Sequence, residues 1–389
     1  MILFEYLFFG YVAYITSYVF FFGFGGHLYK RRRFSSSSEK LRFAILIPGY
    51  KEDPVILSTV EQNLSIGYPK NFYDLYVIAD SFLPETLREL SKLDCQIIDV
   101  QFEKSTKVKA LKKALEGIDA DNYDYLVILD ADNVVEEAYL EKVNYYLKKK
   151  KIRALQTQRI PKNYNNDLAR LDGISEAINN HIYRQGASAT GFSASLNGSG
   201  MVFDFLTFKD TIREMDSVGG FDRELEFRLL EKGVKVEYLK EAWVYDEKTD
   251  DDKTFQNQRK RWISSQYVYL RRYFYRGVKA LLKGDIVYFH STVWRNIQLP
   301  RLINVGLITV IAVLTFVLRD FLQIGLIYWI ALWLLFVLST LISIPKSYFN
   351  SRSLTAILKL PFLLITMIKL MFKLKGANKK YIHTPHRAK

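Results

Sequence analysis

Two aspartates, Asp130 and Asp132, leave the apolar run Tyr125–Leu129 with one alanine between them. Carboxylates at i and i+2 on a turn after a strand can converge on one hard divalent cation. Mg²⁺ or Mn²⁺ held this way keeps open positions for phosphate oxygens. The same pair also suits a solvated turn or a helix start. Pro48-Gly49-Tyr50-Lys51-Glu52 closes the run that begins at Phe43, and Asp80 closes the run Leu75–Ala79. A Tyr50 ring can stack on a nucleobase, and Glu52 or Asp80 can accept from base N–H groups or ribose hydroxyls. Each is equally compatible with an ordinary loop. Lys107 opens the stretch KVKALKKAL, where a cation beside a helix N-terminus suits a phosphate. Lys109, Lys112 and Lys113 fit a solvated basic face.

Three later strings complete the set. Asn197-Gly198-Ser199-Gly200 is a glycine-rich turn whose backbone can approach a ligand closely, or a plain turn. Asp222, Glu224 and Glu226 lie in GFDRELEFRLLEKG. One of them could take a proton from a hydroxyl, although carboxylates favour the first turn of any helix. Gln258-Arg259-Lys260-Arg261-Trp262 joins an amide, cations and an indole. Arg261 can hold a pyrophosphate and Trp262 offers a flat face to a sugar ring. The string also fits a basic-aromatic membrane anchor.

The elements that position these residues follow from hydrophobic patterning. Phe43–Pro48, Leu75–Ala79, Cys95–Val100 and Tyr125–Leu129 read as buried strands, with helix-like stretches such as Pro54–Ile66 and Lys107–Gly117 between them. That alternation predicts a mostly parallel α/β sheet with ligands beyond the carboxyl ends of its strands. On either side the chain is apolar. Ile2–Gly26 carries one charge, Glu5, and is followed by Lys30–Arg33. It predicts a transmembrane helix with the next domain cytoplasmic. Ser35–Ser38 reads as a linker. Leu302–Leu318 and Phe321–Ile344 carry no charge and predict a helical hairpin, preceded by an interfacial helix over Tyr275–Leu299. Ser353–Phe372 reads as interfacial or re-entrant, which leaves the basic tail inside. A full span would put that tail outside. The divisions are therefore 1–29, 30–274, 275–300, 301–344 and 345–389.

Composition narrows the classes. Lysine and arginine number 55 against 41 acids, a formal net charge of +14. Much of the excess sits at Lys30–Arg33 and Lys369–Lys389, where topology explains it without nucleic acid. The single cysteine, Cys95, excludes an internal disulfide and a cysteine-built zinc site.

The order PxYKE, strand-terminal Asp80, Lys107, DAD, GSG, an acidic helix start and QRKRW before apolar spans resembles the membrane-embedded inverting family 2 glycosyltransferases. That group includes cellulose, chitin and hyaluronan synthases. The resemblance implies a GT-A-like domain and an Mg²⁺ or Mn²⁺ cofactor. Tyr50, Glu52 and Asp80 would hold the nucleoside, Lys107 would face the diphosphate, and Asp130 and Asp132 would serve nucleotide and metal. Gln258, Arg261 and Trp262 would close over pyrophosphate and acceptor, with Gly198, Ser199 and Gly200 on the acceptor side. Asp222 stands six residues before Arg228 and eleven before Gly233, the family spacing for the catalytic base. Phe221 precedes it where the family carries an acid, and Glu224 is the alternate base.

The expected activity is inverting transfer from a nucleotide-diphosphate sugar, a UDP-sugar, to a growing polysaccharide. Transfer to a lipid or lipid-linked acceptor is the alternative, and a non-catalytic nucleotide-sugar-binding scaffold is a remote one. Expected partners are the bilayer and, for a polymer channel, further copies of the chain. The expected location is the bacterial inner membrane.

Overall fold

The computed structural model describes residues 2–35 and 38–374. The middle of the Ser35–Ser38 linker and the tail from residue 375 lie outside the described residues. Eight strands form one sheet in the order β3-β2-β1-β4-β7-β6-β8-β5. They are β1 (Phe43–Tyr50), β2 (Tyr73–Asp80), β3 (Gln96–Val100), β4 (Tyr125–Ile128), β5 (Val134–Val135), β6 (Ala154–Pro161), β7 (Met201–Asp204) and β8 (Glu237–Asp246). Alternate residues serve opposite faces. Phe43, Ile45 and Ile47 join one buried core, while Ala44 and Leu46 join the other. Burial on both faces is why β1, β2 and β4 read as unbroken apolar runs.

The helices are α1 (Ile2–His27), α2 (Asp53–Asn63), α3 (Pro84–Leu90), α4 (Lys107–Gly117), α5 (Tyr139–Lys150), α6 (Asp167–Asn179), α7 (Phe205–Arg213), α8 (Phe221–Glu231), α9 (Asp252–Leu282), α10 (Arg301–Val317), α11 (Leu326–Ile342), α12 (Ser351–Ile357) and α13 (Leu360–Met371). A π-helix, Asn180–Gly186, continues α6.

Two expectations need correction. The sheet is mixed: β4 with β7, β6 with β7 and β5 with β8 pair antiparallel. The return through β7 wedges an antiparallel strand between β4 and β6 and splits the parallel run. The segment 275–300 is not one interfacial helix. The helix α9 runs on to Leu282, and a separate turn follows at Ile286–Trp294. Gly284 at φ 85° marks the break.

Among the described residues, α1 is long and apolar enough to cross a membrane. The helices α10 and α11 are apolar but shorter, and α12 and α13 form a pair bent by 44°. Pro361 opens α13, where its missing N–H costs least. The docking of α1 on the domain is close. A Cβ at Gly186 would lie 2.1 Å from the Phe22 carbonyl oxygen, and one at Gly25 would lie 2.5 Å from the Thr190 side chain. Gly186→Ala should therefore push α1 off its seat and cost about 1–3 kcal/mol. Gly117→Ala, with open space around it, should stay within about 0.5 kcal/mol. Thermal unfolding in detergent measures both. An unchanged Tm for Gly186→Ala would show that α1 docks loosely.

Candidate active site

The strand ends build the site. Tyr50 and Asp80 are register partners at the carboxyl ends of β1 and β2. The residue after each is left-handed, Lys51 at φ 54° and Ser81 at φ 60°. Such backbone is uncommon outside glycine, and it turns both chains sharply away from the sheet. Lys51 N–H donates to the Asp80 carbonyl at 3.1 Å, fixing the two turns together. The Asp80 carboxylate is buried and accepts from Ser81 Oγ at 2.9 Å. Burial holds its pKa above the ordinary aspartate value, against the lowering by hydroxyl donors and Lys51.

The DAD turn is clamped on three sides. Asp130 N–H donates to Ser199 Oγ at 3.0 Å. Lys107 Nζ donates to Asp130 Oδ1 at 2.5 Å and to the Gly198 carbonyl at 2.7 Å. Thr106 caps α4 and so fixes where Lys107 starts. Asn133 Nδ2 donates to Asp132 Oδ1 at 3.0 Å and to Asp246 Oδ1 at 3.2 Å, tying the turn to β8.

The glycine turn does a different job from the one expected of it. Gly198 lines the site. Ser199 is fully buried beneath Asp130. A Cβ at Gly200, at φ 62°, would lie 2.6 Å from Thr157 Oγ1. Ser199 and Gly200 therefore support the aspartate turn and do not face the cavity.

The two candidate bases also separate. Asp222, in the first turn of α8, is half-buried and lines the cavity. Glu224 is 1% exposed and turned toward α9. It accepts from Arg228 Nε at 2.9 Å, Tyr269 Oη at 3.1 Å and Arg272 Nη1 at 3.4 Å. These partners occupy Glu224, which is not among the residues lining the cavity. Gly220 makes the approach of α8 to α9 possible, since a Cβ there would lie 2.7 Å from the Tyr269 ring.

One cavity of about 1180 Å³ gathers Tyr50, Glu52, Asp80, Lys107, Asp130 and Asp132 with Asp222. Gln258, Arg261 and Trp262 of α9 face the same space. The guanidinium of Arg259 lies over the Trp262 ring at 4.6 Å and pairs with Asp172.

The sequence reading missed a buried charge network at the cavity wall. Glu176 accepts from Arg159 at 3.0 Å and Arg184 at 3.1 Å. Lys248 Nζ donates to Asp246 at 2.6 Å. A signal existed: Asp172, Glu176, Asn180 and Arg184 recur every four residues along one helical face.

Asp130 and Asp132 fit a divalent cation by donor chemistry, being carboxylates on one turn of the cavity wall. Among the described residues, no three histidine, cysteine, aspartate or glutamate side chains gather to cage a metal. The remaining ligands would come from donor phosphates and water, the usual arrangement for Mg²⁺.

Comparisons with known proteins bear on family and fold. A family model described as "Glycosyltransferase like family 2" matches residues 41–265. A probable glucomannan 4-beta-mannosyltransferase 4 of Oryza sativa subsp. japonica is 25% identical over 230 residues, 56% of this chain and 42% of that protein. A probable glucomannan 4-beta-mannosyltransferase 2 of the same plant is 26% identical over 230 residues, 56% and 40% of the two chains. The chain thus spans less than half the length of these relatives. Among solved structures, the mannosyltransferase PcManGT from Pyrobaculum calidifontis, in complex with GDP-Man and Mn²⁺, matches with a TM-score of 0.57. It is 13% identical, over 93% of this chain and 96% of that one. The likeness is one of fold.

Proposed function

The chain belongs to the glycosyltransferase-like family 2, and from that premise we propose that it transfers a sugar with inversion from a nucleotide-diphosphate donor to a hydroxyl at a membrane. The observation that carries this reading is the opening of Asp80, the Asp130–Asp132 turn and Asp222 onto one cavity.

Asp80 and Tyr50 hold the nucleoside at the strand ends. Lys107 and Arg261 face the diphosphate. A divalent cation at Asp130 and Asp132 would supply positive charge to the diphosphate oxygens. Asp222 takes the proton of the acceptor hydroxyl, whose oxygen forms the new bond to the anomeric carbon. The bond from that carbon to the diphosphate oxygen breaks, and its electron pair leaves on the nucleoside diphosphate. Lys107 and Arg261 stabilise the charge developing there. A single displacement turns an α-linked donor into a β-linked product.

The proposal includes membrane attachment through α1, which is long and apolar enough to cross a bilayer, with Lys30–Arg33 on the cytoplasmic side. A UDP-sugar is one donor this site can take. The named relatives are mannosyltransferases and the matched structure holds GDP-Man, so a mannose donor is the second reading.

The purified full chain, incubated with Mn²⁺ and separately with UDP-glucose, UDP-N-acetylglucosamine and GDP-mannose, tests the proposal. One donor should release its nucleoside diphosphate, and excess chelator should cut release by about tenfold or more. Full release in chelator would remove the metal assignment. Release from none of the donors would overturn the activity.

A further inference from the structure

The cavity does not end at Asp222. It continues to Val305 of α10, Phe336, Val337 and Leu341 of α11, Leu354 of α12 and Met367 of α13. One end is carboxylate-rich and the other is a passage between apolar helices. At the junction lie Arg223, Arg295, Gln298, Arg301 and Ser353, all lining the same space.

This junction holds unmet donors. Arg295 is 8% exposed, Gln298 4% and Ser353 4%. Arg295 Nη1, Gln298 Nε2 and Ser353 Oγ are buried without a hydrogen-bond partner. Glu226 pairs only with the other guanidinium nitrogen of Arg295, at 2.9 Å and 3.0 Å. Arg301 donates to Asn179 Oδ1 at 2.7 Å and Ser175 Oγ at 2.6 Å, and Arg223 donates to Asn296. Among the described residues, neither Arg223 nor Arg301 forms an ion pair. Buried donors and unpaired cations carry an uncompensated desolvation cost, which an anion would relieve.

We propose that the acceptor is an anionic lipid: a sugar carried on a long apolar chain through a phosphate or diphosphate. The apolar chain lies between α10, α11 and α13. The anionic linker sits among Arg223, Arg295 and Arg301, with Gln298 and Ser353 donating to its oxygens. The sugar then reaches Asp222. This rests on the glycosyl-transfer reading above and names its acceptor class. A neutral polysaccharide would leave Arg223 and Arg301 without an anionic partner and the Nη1 of Arg295 unmet, and would thread a passage with apolar walls. Arginine's fixed fork of donors matches phosphate oxygens.

Binding of farnesyl diphosphate and of farnesol to the full chain in detergent tests the proposal. Saturating nucleoside diphosphate of the preferred donor keeps the donor site filled. Farnesyl diphosphate should bind about tenfold or more tightly than farnesol, the scale of charge-assisted bonds. Arg301→Gln should erase most of that difference, and Gln298→Leu should narrow it without removing a charge. Val337→Trp, which fills the passage, should weaken both probes. Nucleotide affinity, measured on each variant, should stay within about twofold of wild type, confirming an intact fold. Equal affinity for the two probes, or an advantage untouched by Arg301→Gln and Gln298→Leu, would overturn the lipid assignment while leaving glycosyl transfer standing. Failure of the wild-type chain to bind any nucleotide would instead strike the reading beneath it.

Discussion

Asp222→Asn is expected to lower sugar transfer by about 10²–10⁴-fold, the usual contribution of a general base. The amide keeps the shape of the side chain but cannot take the acceptor proton. Asp222 sits at the first turn of α8 with its side chain open to the cavity. Donor affinity should change by less than about tenfold, because the proposed function assigns the nucleotide to Tyr50, Asp80 and the Asp130–Asp132 turn and not to Asp222. Steady-state transfer and nucleotide binding, measured on the same preparation, separate the two effects. Glu224→Gln behaves differently, since Glu224 is buried and bonded to Arg228, Tyr269 and Arg272. Its loss should appear in stability before it appears in turnover. A dead Glu224→Gln of normal stability, beside an active Asp222→Asn, would reverse the assignment.

Glu176→Gln should destabilise the domain by about 3–5 kcal/mol, the cost of removing one partner from a buried ion pair. Glu176 faces Arg159 and Arg184, with Lys248 Nζ at 4.0 Å. Removing its charge leaves Arg159 and Lys248 to share Asp246 and takes from Arg184 the carboxylate it pairs with. Burial alone would raise the Glu176 pKa, but the three cations outweigh it and hold the carboxyl well below the usual glutamate range. A depressed pKa gives stability that is present above the unfolded value, about 4.3, and is lost as pH falls toward the folded value. Wild type should therefore lose stability on acidification below about pH 4 partly through this group, and Glu176→Gln should lack that part. Chemical unfolding at neutral and acidic pH measures both. A variant as stable as wild type would show that the network is no net asset.

The strands β1, β2 and β4 were legible because both faces of the sheet are covered, so their runs are continuously apolar, and α4 was legible because its apolar residues recur at helical spacing. The strands β6 and β8 were not. Gln156, Thr157 and Arg159 interrupt β6, and Asp246 ends β8; all four are buried, Arg159 and Asp246 line the cavity, and Gln156 and Thr157 hold the Ser199–Gly200 turn behind it. A strand that carries site chemistry loses the pattern that identifies strands. The DAD turn, Asp80 and QRKRW were legible from residue type and position. The choice between Asp222 and Glu224 was not, because two carboxylates two residues apart are chemically alike. Arg228, one turn along the same helix, and Tyr269 and Arg272 of α9 decide which one is taken up by the interior.

The first helix also sets a schedule for assembly. Its hydroxyls find their partners very late in the chain: Tyr11 donates to Asn304, Tyr14 to the Trp294 carbonyl, and Tyr18 meets His290 at 2.9 Å. At ribosomal speeds of about 5–20 residues per second, roughly 15–60 s separate the synthesis of these tyrosines from that of their partners. During that interval α1 can gain its seat on residues 181–190 but not these hydroxyl partners. Chains truncated between residues 190 and 290 will keep the seat of α1 on Gly186 and Thr190 but leave the hydroxyls of Tyr11, Tyr14 and Tyr18 without these partners.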